Sequence, residues 1–209
     1  MKKAIRTEYA EKGVDEYYKT HADVYENPHF SYIKTLLIQN QHRIDYAHVL
    51  DFSCGGGEVT LILSELTLSN EDISPQKKDN QFLGCDPFTF KLYEKNTGYR
   101  CLPLSFEDIV KGKMTPSVLP RSARSDNSYS RNDNDPFSAI ICSFGMHLCP
   151  EKMLYSLVYQ LFMYSKNIII ITPHKRPQLE KLSGVELVFH DFVLTERGKK
   201  VFLKSYQLS

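Results

Sequence analysis

Three consecutive glycines follow an apolar segment that ends in an acid, in the stretch VLDFSCGGGEVTLIL at residues 49–63. Each glycine costs backbone entropy, so three in a row between a strand and a helix require more than an ordinary turn. Because they lack side chains, they let the backbone approach a ligand closely and adopt dihedral angles that other residues avoid. Asp51 and the glycines at 55–57 are therefore the first candidates for a ligand site.

A dinucleotide site is the alternative for such a loop. That site has the pattern G-x-G-x-x-G, with its last glycine inside the following helix. Here Val59 and Thr60 stand where a later glycine would fall. The stretch is not built to hold a pyrophosphate at a helix N-terminus, so the spacing argues against a dinucleotide.

The elements that must position this loop alternate between strand and helix patterns. Strands are predicted at 48–52, 82–86, 100–104, 137–144 and 167–172. Helices are predicted at 14–40 with a break near 26–30, at 58–66, from 87 to about 95, after 105 and at 150–165. Residues 185–194 and 199–208 predict a closing antiparallel hairpin. This order predicts an α/β fold, a doubly wound, Rossmann-like and mostly parallel sheet whose ligands bind beyond the carboxyl ends of the strands.

The length of 209 residues predicts a single domain over 1–209. Residues 14–40 are predicted to form an N-terminal helical lid. Residues 112–136 are rich in Ser, Asn, Asp, Arg and Pro and lack periodicity, so they predict a disordered surface insertion. Its arginines could touch an anionic partner, or the segment could be a tolerated spacer.

Composition excludes several classes of protein. The chain has 26 Lys and Arg against 25 Asp and Glu, so the net charge does not indicate a nucleic-acid partner. The longest aliphatic run, 168–171, is too short to cross a membrane, and the N-terminus shows no signal peptide. Five cysteines without a CxxC pair argue against a zinc site or a disulfide framework and favour a reduced, cytoplasmic protein.

From Tyr17 onward the chain resembles the class I S-adenosylmethionine-dependent methyltransferases. VLDFSCGGG is similar to their first motif, V-L-D-L-G-C-G-x-G, with Ser53 in place of the first glycine. FLGCDPF resembles the second motif, LSFEDIV the third and FSAIICSFGMHL the fourth. YYKTHADVYENPH, SFEDIVKG, CSFGMHL and TPHKRP together resemble a subgroup of small microbial methyltransferase-like proteins.

The resemblance implies a bound S-adenosylmethionine and assigns residues to it. Asp86 would accept hydrogen bonds from the ribose hydroxyls, and it could also cap the helix that follows Pro87. Ser105 and Phe106 match the positions that contact adenine, with Glu107 and Asp108 as alternatives. The implied cofactor-binding residues are Tyr18, Asp51, Ser53, Cys54, Gly55, Gly57, Asp86, Pro87, Phe88, Ser105, Phe106, Cys142, Ser143 and Phe144.

The acceptor side is less specified. His147 follows the fourth predicted strand and could remove an acceptor proton, or it could be structural. Tyr17, Tyr18 and Tyr25 could form an aromatic lid near the sulfonium, or pack as core. Beyond the fifth predicted strand, TPHKRP could bind a carboxylate or phosphate, or form a solvated turn. The candidate catalytic residue is His147, and the candidate substrate-binding residues are Tyr25, His147, Lys175 and Arg176.

Three functions remain open on the sequence. The first is methylation of a small molecule with an anionic group, favoured by the neutral charge and the lack of an appended binding domain. The second is methylation of RNA or protein, alone or together with a partner protein. The third is a non-catalytic scaffold, which need not keep Asp51, the glycines and Asp86. The chain lacks an N-P-P-Y or D-P-P-Y element, which argues against methylation of DNA adenine or glutamine.

Overall fold

The structure is a computed structural model that describes residue 16 and residues 27–68, 81–115, 135–173 and 176–209. Seven strands of these residues form one sheet in the order β3-β2-β1-β4-β5-β7-β6. The strands are β1 (Val49–Phe52), β2 (Phe82–Cys85), β3 (Cys101–Leu102), β4 (Ala139–Ser143), β5 (Ile168–Thr172), β6 (Val185–Leu194) and β7 (Lys200–Leu208). β1 to β5 pair in parallel, and β7 pairs antiparallel with both β5 and β6.

Helices cover both faces of this sheet. They are α1 (Phe30–Gln39), α2 (Glu58–Leu68), α3 (Phe90–Thr97), α4 (Phe106–Val110) and α5 (Glu151–Phe162). α1 and α2 bury their apolar side chains on one face, and α4 and α5 on the other. Short 3₁₀ helices at Gln41–Arg43, Met146–Leu148 and Leu179–Lys181 complete the described elements.

The largely apolar sequence of β5 is explained by this two-sided burial. Ile168 and Ile170 lie in the core under α5, whereas Ile169 and Ile171 lie in the core under α1 and α2. A strand with helices on both faces of its sheet has no solvent side, so its first four positions are all isoleucine and only Thr172 at its carboxyl end is polar. β6 alternates instead between half-buried and exposed positions after its first residue, because it lies at the edge of the sheet.

The predicted fold class is confirmed, with shorter elements than the sequence suggested. β3 is two residues long rather than the five of 100–104, and α5 ends at Phe162 rather than at 165. The sheet reverses its strand order between β1 and β4, which is where the doubly wound architecture places a ligand.

Two segments predicted from the sequence lie only partly within the residues that the structure describes. Of the predicted lid at 14–40, only residue 16 and residues 27–40 are described. Of the predicted insertion at 112–136, the central part 116–134 lies outside the described residues, as do residues 69–80. Met114, at the near end of that insertion, is fully buried in the core, and its carbonyl accepts a hydrogen bond from the Tyr164 hydroxyl. Met114 therefore anchors the first residues of the predicted insertion, 112–115, in the core.

Candidate active site

A cleft of about 380 Å³ opens at the carboxyl ends of β1, β2 and β4. It brings together residues from all four motif-like stretches, although these are far apart along the chain. The predicted cofactor-binding residues that line it are Ser53, Gly55, Asp86, Pro87, Phe88, Ser105, Phe106, Ser143 and Phe144. A cleft of this size and mixed lining suits a cofactor-sized ligand.

Four predicted cofactor-binding residues lie behind the cleft instead of lining it. Asp51, Cys54 and Cys142 are at most 1% exposed, and Gly57 is also buried. Their positions along the motif are as predicted, but the strand and the turn direct them into the core. These four residues support the wall of the cleft. Among the predicted cofactor-binding residues that are described, direct contact with a cofactor stays a prediction for the nine that line the cleft.

Asp51 is held in place by a buried hydrogen-bond network. Its Oδ2 accepts from the backbone N–H of Thr60 at 3.2 Å and from the Thr60 hydroxyl at 2.8 Å. The Thr60 hydroxyl lies 2.8 Å from the hydroxyl of Tyr93 on α3. Oδ1 of Asp51 has no hydrogen-bond partner within the described structure. One orphaned carboxylate oxygen directly behind the glycine loop is unusual, since buried polar atoms are normally paired.

The turn after β1 and the turn after β4 are fitted to each other. Ser53 and Phe144 both adopt positive φ angles, 56° and 55°, which side-chain-bearing residues rarely do. A Cβ added to Gly145 would lie 2.3 Å from Cβ of Ser53 and 2.8 Å from its Oγ. Ser53, where the resembled motif has glycine, is therefore accommodated by a glycine in the opposite loop. Backbone strain of this kind concentrates at functional sites.

Gly145→Ala is expected to destabilise the fold by about 1–3 kcal/mol, because the new methyl group overpacks the contact with Ser53. Gly145 has a φ of −105°, so backbone strain adds nothing to this cost. Ser53→Gly removes the clashing atoms, and the double variant should recover most of the loss in urea unfolding. A double variant as unstable as Gly145→Ala alone would contradict the proposed contact.

Asp86 performs a structural task while it lines the cleft. Its Oδ1 accepts hydrogen bonds from the backbone N–H groups of Phe88 at 2.8 Å and Thr89 at 2.9 Å. These bonds fix the turn between β2 and α3 and aim the carboxylate at the cleft. The helix-cap prediction is wrong, because α3 begins at Phe90 with Thr89 as its N-cap, and Asp86 holds the turn before it. The ribose-binding role stays a compatible proposal.

The Ser105 hydroxyl is hydrogen-bonded within the protein, although the resemblance implies that it contacts adenine. Its hydroxyl donates to Oδ2 of Asp108 at 2.6 Å and accepts from the Asp108 N–H at 3.2 Å, which forms a capping box for α4. Asp108 also pairs with Lys113 at 2.6 Å. Phe106 lies on the cleft and packs against Phe52 with ring centroids 5.7 Å apart. Glu107 lines the cleft as well, but its Oε1 pairs with Lys111 at 2.7 Å. Phe106 is therefore the side chain of this segment that is most available to a ligand.

Three carboxylates gather around the glycine loop. Burial raises the pKa of Asp51 well above its usual value, and it also raises the pKa values of Glu58 and Asp86. The like charges of Glu58 and Asp86 raise the pKa of Asp51 further, and the charge of Asp86 raises the pKa of Glu58. N–H groups of Gly56 and Asn27 donate to Glu58 and partly offset this effect. The site therefore favours a cationic ligand and disfavours an anionic one such as a pyrophosphate.

The ligand-free protein should become more stable as the pH is lowered from about 7 to about 5. Carboxyl groups with raised pKa values bind more protons in the folded chain than in the unfolded chain, so unfolding free energy falls as pH rises through this window. Glu58→Gln removes one such group and should give a shallower dependence of the urea midpoint on pH. A wild-type midpoint that falls on acidification in this window, with the Glu58→Gln slope unchanged, would contradict the electrostatic account.

His29 is a residue of the site region that sequence analysis missed. Its ring stacks on Phe144 with centroids 4.5 Å apart and an interplanar angle of 9°. Phe144 lines the cleft, so the start of α1 buttresses the turn after β4. The signal for His29 in the sequence is the ENPHF stretch at residues 26–30, which by itself predicts only a helix break.

His147 and Arg176 lie in a second cleft of about 350 Å³, which is lined also by Lys181 and Tyr155. The segment 145–154 separates the two clefts, with alternate residues facing each. The 3₁₀ turn at Met146–Leu148 rotates His147 away from the first cleft, which a strand-by-strand prediction could not foresee. Tyr18, Tyr25 and Lys175 lie outside the described residues, as do Tyr17 and His174.

Metal and membrane features are absent from the described residues. Within those ranges, no group of three or more His, Cys, Asp or Glu side chains is placed to hold a metal ion. No described helix is both long and apolar enough to cross a membrane. All five cysteines are free, and Cys54 and Cys101 lie 3.6 Å apart at their Sγ atoms.

Comparison with solved structures identifies the fold. Magnesium protoporphyrin IX methyltransferase from Synechocystis PCC 6803, solved with bound SAM, superposes with a TM-score of 0.53. It is 12% identical, and the match covers 97% of this chain and 95% of that chain. Mitomycin 7-O-methyltransferase MmcR matches with a TM-score of 0.53 and 11% identity over 99% of this chain and 61% of that chain. The fold is that of the class I methyltransferases.

A relative similar in sequence also exists. Uncharacterized protein C17A5.05c of Schizosaccharomyces pombe is 31% identical over 245 residues, which cover 98% of this chain and 93% of the relative. The chain belongs to the same family as this fission yeast protein. No protein-family model matches the chain.

Proposed function

We propose that the protein is an S-adenosylmethionine-dependent methyltransferase that acts on a small molecule carrying an anionic group. One observation carries the proposal. The turn after β1, Asp86 after β2 and Phe106 after β3 line a single cleft at the point where the strand order reverses. That is the location, and these are the positions, at which the resembled methyltransferases bind their cofactor.

The residues present fit this cofactor. It carries a sulfonium and an ammonium group, and the Asp86 carboxylate on the cleft wall would attract this positive charge. Asp86 would bind the ribose hydroxyls with the oxygen that does not accept from Phe88 and Thr89. Phe106 would contact the adenine ring, and Glu107, whose Oε1 pairs with Lys111, also lines this part of the cleft. Because the Ser105 hydroxyl is engaged with Asp108, we assign Ser105 to holding this rim in place.

The bound cofactor would supply a methyl group on sulfur that is transferred by in-line displacement. The work of the chain is to orient the acceptor and to exclude water from the cleft. Ser53, Phe144 and Gly145 form the wall between the turn after β1 and the turn after β4, and their interlocked contact fixes its shape. A fixed wall matters, because misplacement by about 1 Å can cost a factor of about 100 in rate.

The second cleft supports an anionic acceptor. Arg176 and Lys181 place two cations in it, against the single acid Glu151, beside the ring of Tyr155 and the apolar side chain of Leu182. An acceptor with an apolar body and a carboxylate or phosphate would match this lining. His147 lines the same cleft, across the segment 145–154 from the first cleft, so it would contact the anionic end of the acceptor and not the reacting atom. Five free thiols suit a reducing compartment, so we place this activity in the cytoplasm.

The function is tested by incubating the protein with cell extract and methyl-labelled S-adenosylmethionine. Label should enter the small-molecule fraction and not the RNA or protein fractions. Label in RNA or protein would overturn the acceptor class while keeping methyl transfer. No transfer by a protein that binds the cofactor would favour a non-catalytic scaffold.

Once the acceptor is identified, Arg176→Ala should raise its KM by at least about tenfold and leave cofactor affinity unchanged. Loss of the guanidinium removes an anion contact in the second cleft and nothing in the first. His147→Ala should also raise the acceptor KM and change kcat by less than about tenfold, because the imidazole lies across the segment 145–154 from the cofactor cleft. Lys34→Ala is the matched control, because Lys34 on α1 pairs with Glu65 on α2 and lines neither cleft. An unchanged acceptor KM in Arg176→Ala would contradict the anion site.

A further inference from the structure

β6 forms the edge of the sheet and offers an open side for another strand. Among the described residues it pairs only with β7, over ten residues from Val185 to Leu194. The backbone N–H and C=O groups on its outer side can therefore hydrogen-bond to a further chain. Soluble proteins usually protect such an edge with lysine, proline, bulges or inward-facing charges.

The protection of this edge is incomplete. The sequence VELVFHDFVL contains no lysine, arginine or proline, and most of its residues are apolar and β-prone. A bulge lies between Leu187 and Phe189, which leaves residues 189–194 in regular register. Asp191 is an inward-facing charge, but its Oδ2 accepts from Asn40 of α1 at 2.9 Å. The amide of Phe192 donates to Oδ1 of Asp191, a local bond that a partner carbonyl can replace.

The outer half of β6 exposes apolar side chains next to positive charge. Phe192 is 40% exposed and Leu194 is 57% exposed. Lys200, the cross-strand partner of Leu194, extends its ammonium to 3.8 Å from the centroid of Phe192, toward the free edge. Arg197 and Lys199 in the connecting turn add two further cations against one acid, Glu196, so the turn and Lys200 together carry a net positive charge. A segment lying along this edge would therefore meet apolar side chains and a positive field together.

We propose that β6 is a docking edge to which an extended, acidic and apolar segment of a partner protein adds as an eighth strand. Main-chain hydrogen bonds to residues 189–194 would give affinity. Alternating apolar side chains of the partner would pack on Phe192 and Leu194, and its acids would face Lys200. The backbone groups, the apolar side chains and the cation of this edge would thus each meet a matching group in such a segment.

Charge decides against a second copy of this chain as the occupant. β6 itself carries two acids, Glu186 and Asp191, and Asp191 is already bound to Asn40. A second β6 would thus bring little negative charge to Lys200 and the turn. The docking edge goes beyond the proposed methyl transfer and does not depend on it. Phe192 of β6 pairs with Phe202 of β7, which pairs with Thr172 at the carboxyl end of β5. The docked segment would therefore reach the carboxyl ends of the parallel strands, where the active-site cleft opens.

The test uses a labelled synthetic peptide of about ten residues with alternating glutamate and valine, and a matched peptide with lysine in place of glutamate. Fluorescence anisotropy with the full chain should show the acidic peptide binding at least about tenfold more tightly than the basic one. Amide hydrogen exchange should slow within 185–194 when the acidic peptide is bound. Leu194→Glu should weaken binding at least about tenfold, because it removes an apolar contact and adds a charge that repels the acidic peptide.

Met163→Glu is the matched control, since Met163 is an apolar residue that is 71% exposed and lies at the end of α5. It should bind the acidic peptide like the unaltered protein. Phe192→Glu replaces Leu194→Glu if circular dichroism shows that the latter is unfolded. Equal binding of both peptides, unchanged exchange in 185–194, or equal losses in both glutamate variants would overturn the proposal. A concentration-dependent dimer that Leu194→Glu abolishes would also overturn it in favour of a second copy.

Discussion

Asp86→Asn should weaken the binding of S-adenosylmethionine by roughly 10- to 150-fold, which corresponds to roughly 1.5–3 kcal/mol for a hydrogen bond to a charged group. Asn is isosteric, and its side-chain oxygen can still accept from the N–H groups of Phe88 and Thr89. The turn should therefore persist while the charge at the cleft is lost. Isothermal titration calorimetry gives the affinity, and thermal unfolding checks that the fold is kept.

Asp108→Asn is the matched control for this experiment. Asp108 is likewise an acid next to the cleft, but its carboxylate is bound to Ser105 in the capping box of α4 and to Lys113. Cofactor affinity should stay within about twofold of the unaltered protein, since no ligand contact is removed. Equal losses in both variants would show that rim stability, and not a contact from Asp86, determines affinity.

Gly57→Ala should destabilise the protein by roughly 2–4 kcal/mol, the largest stability effect that we expect from a single methyl group. Gly57 has a φ of 91°, which a residue with a Cβ adopts only at a cost. The added Cβ would also lie 2.4 Å from Cγ2 of Thr97 and 3.2 Å from Cδ2 of Tyr93. Urea unfolding measures the sum of the two effects.

Two further variants separate strain from crowding. Gly98→Ala adds a methyl group at a φ of 75° with no other atom within 4 Å, so it reports the backbone cost alone. Thr97→Ser removes the crowded methyl group and keeps the hydroxyl that donates to the Tyr93 carbonyl at 2.8 Å. Combined with Gly57→Ala, it should recover part of the loss. If Gly57→Ala and Gly98→Ala cost the same, Gly57 does not mediate the packing of the loop on α3.

Strand positions could be predicted from the sequence because burial imposes its pattern directly. The apolar run at 167–172 needs helices on both sides, and the order of strands and helices then allows few topologies. The hairpin at 185–208 followed from alternation and the TERG turn. The sequence also located the loop after β1 and Asp86, since a glycine-rich turn and an acid after a strand are local signals.

The parts that failed depend on contacts between distant segments. Nothing near Ser53 in the sequence indicates that Gly145 makes room for its side chain. Asp51 was placed at the ligand, yet its carboxylate is turned inward to Thr60. His147 was placed at the reacting atom, yet one short helical turn directs it into the second cleft. Such directions are set by tertiary packing, which a motif does not encode.

The central claim is that the cleft between β1, β2 and β4 binds a cationic sulfur cofactor. Isothermal titration calorimetry of the full chain with S-adenosylmethionine, S-adenosylhomocysteine and NAD tests it most directly. We predict saturable one-to-one binding of both sulfur compounds, weakened in Asp86→Asn, and no binding of NAD. Saturable binding of NAD with no heat from either sulfur compound would contradict the account.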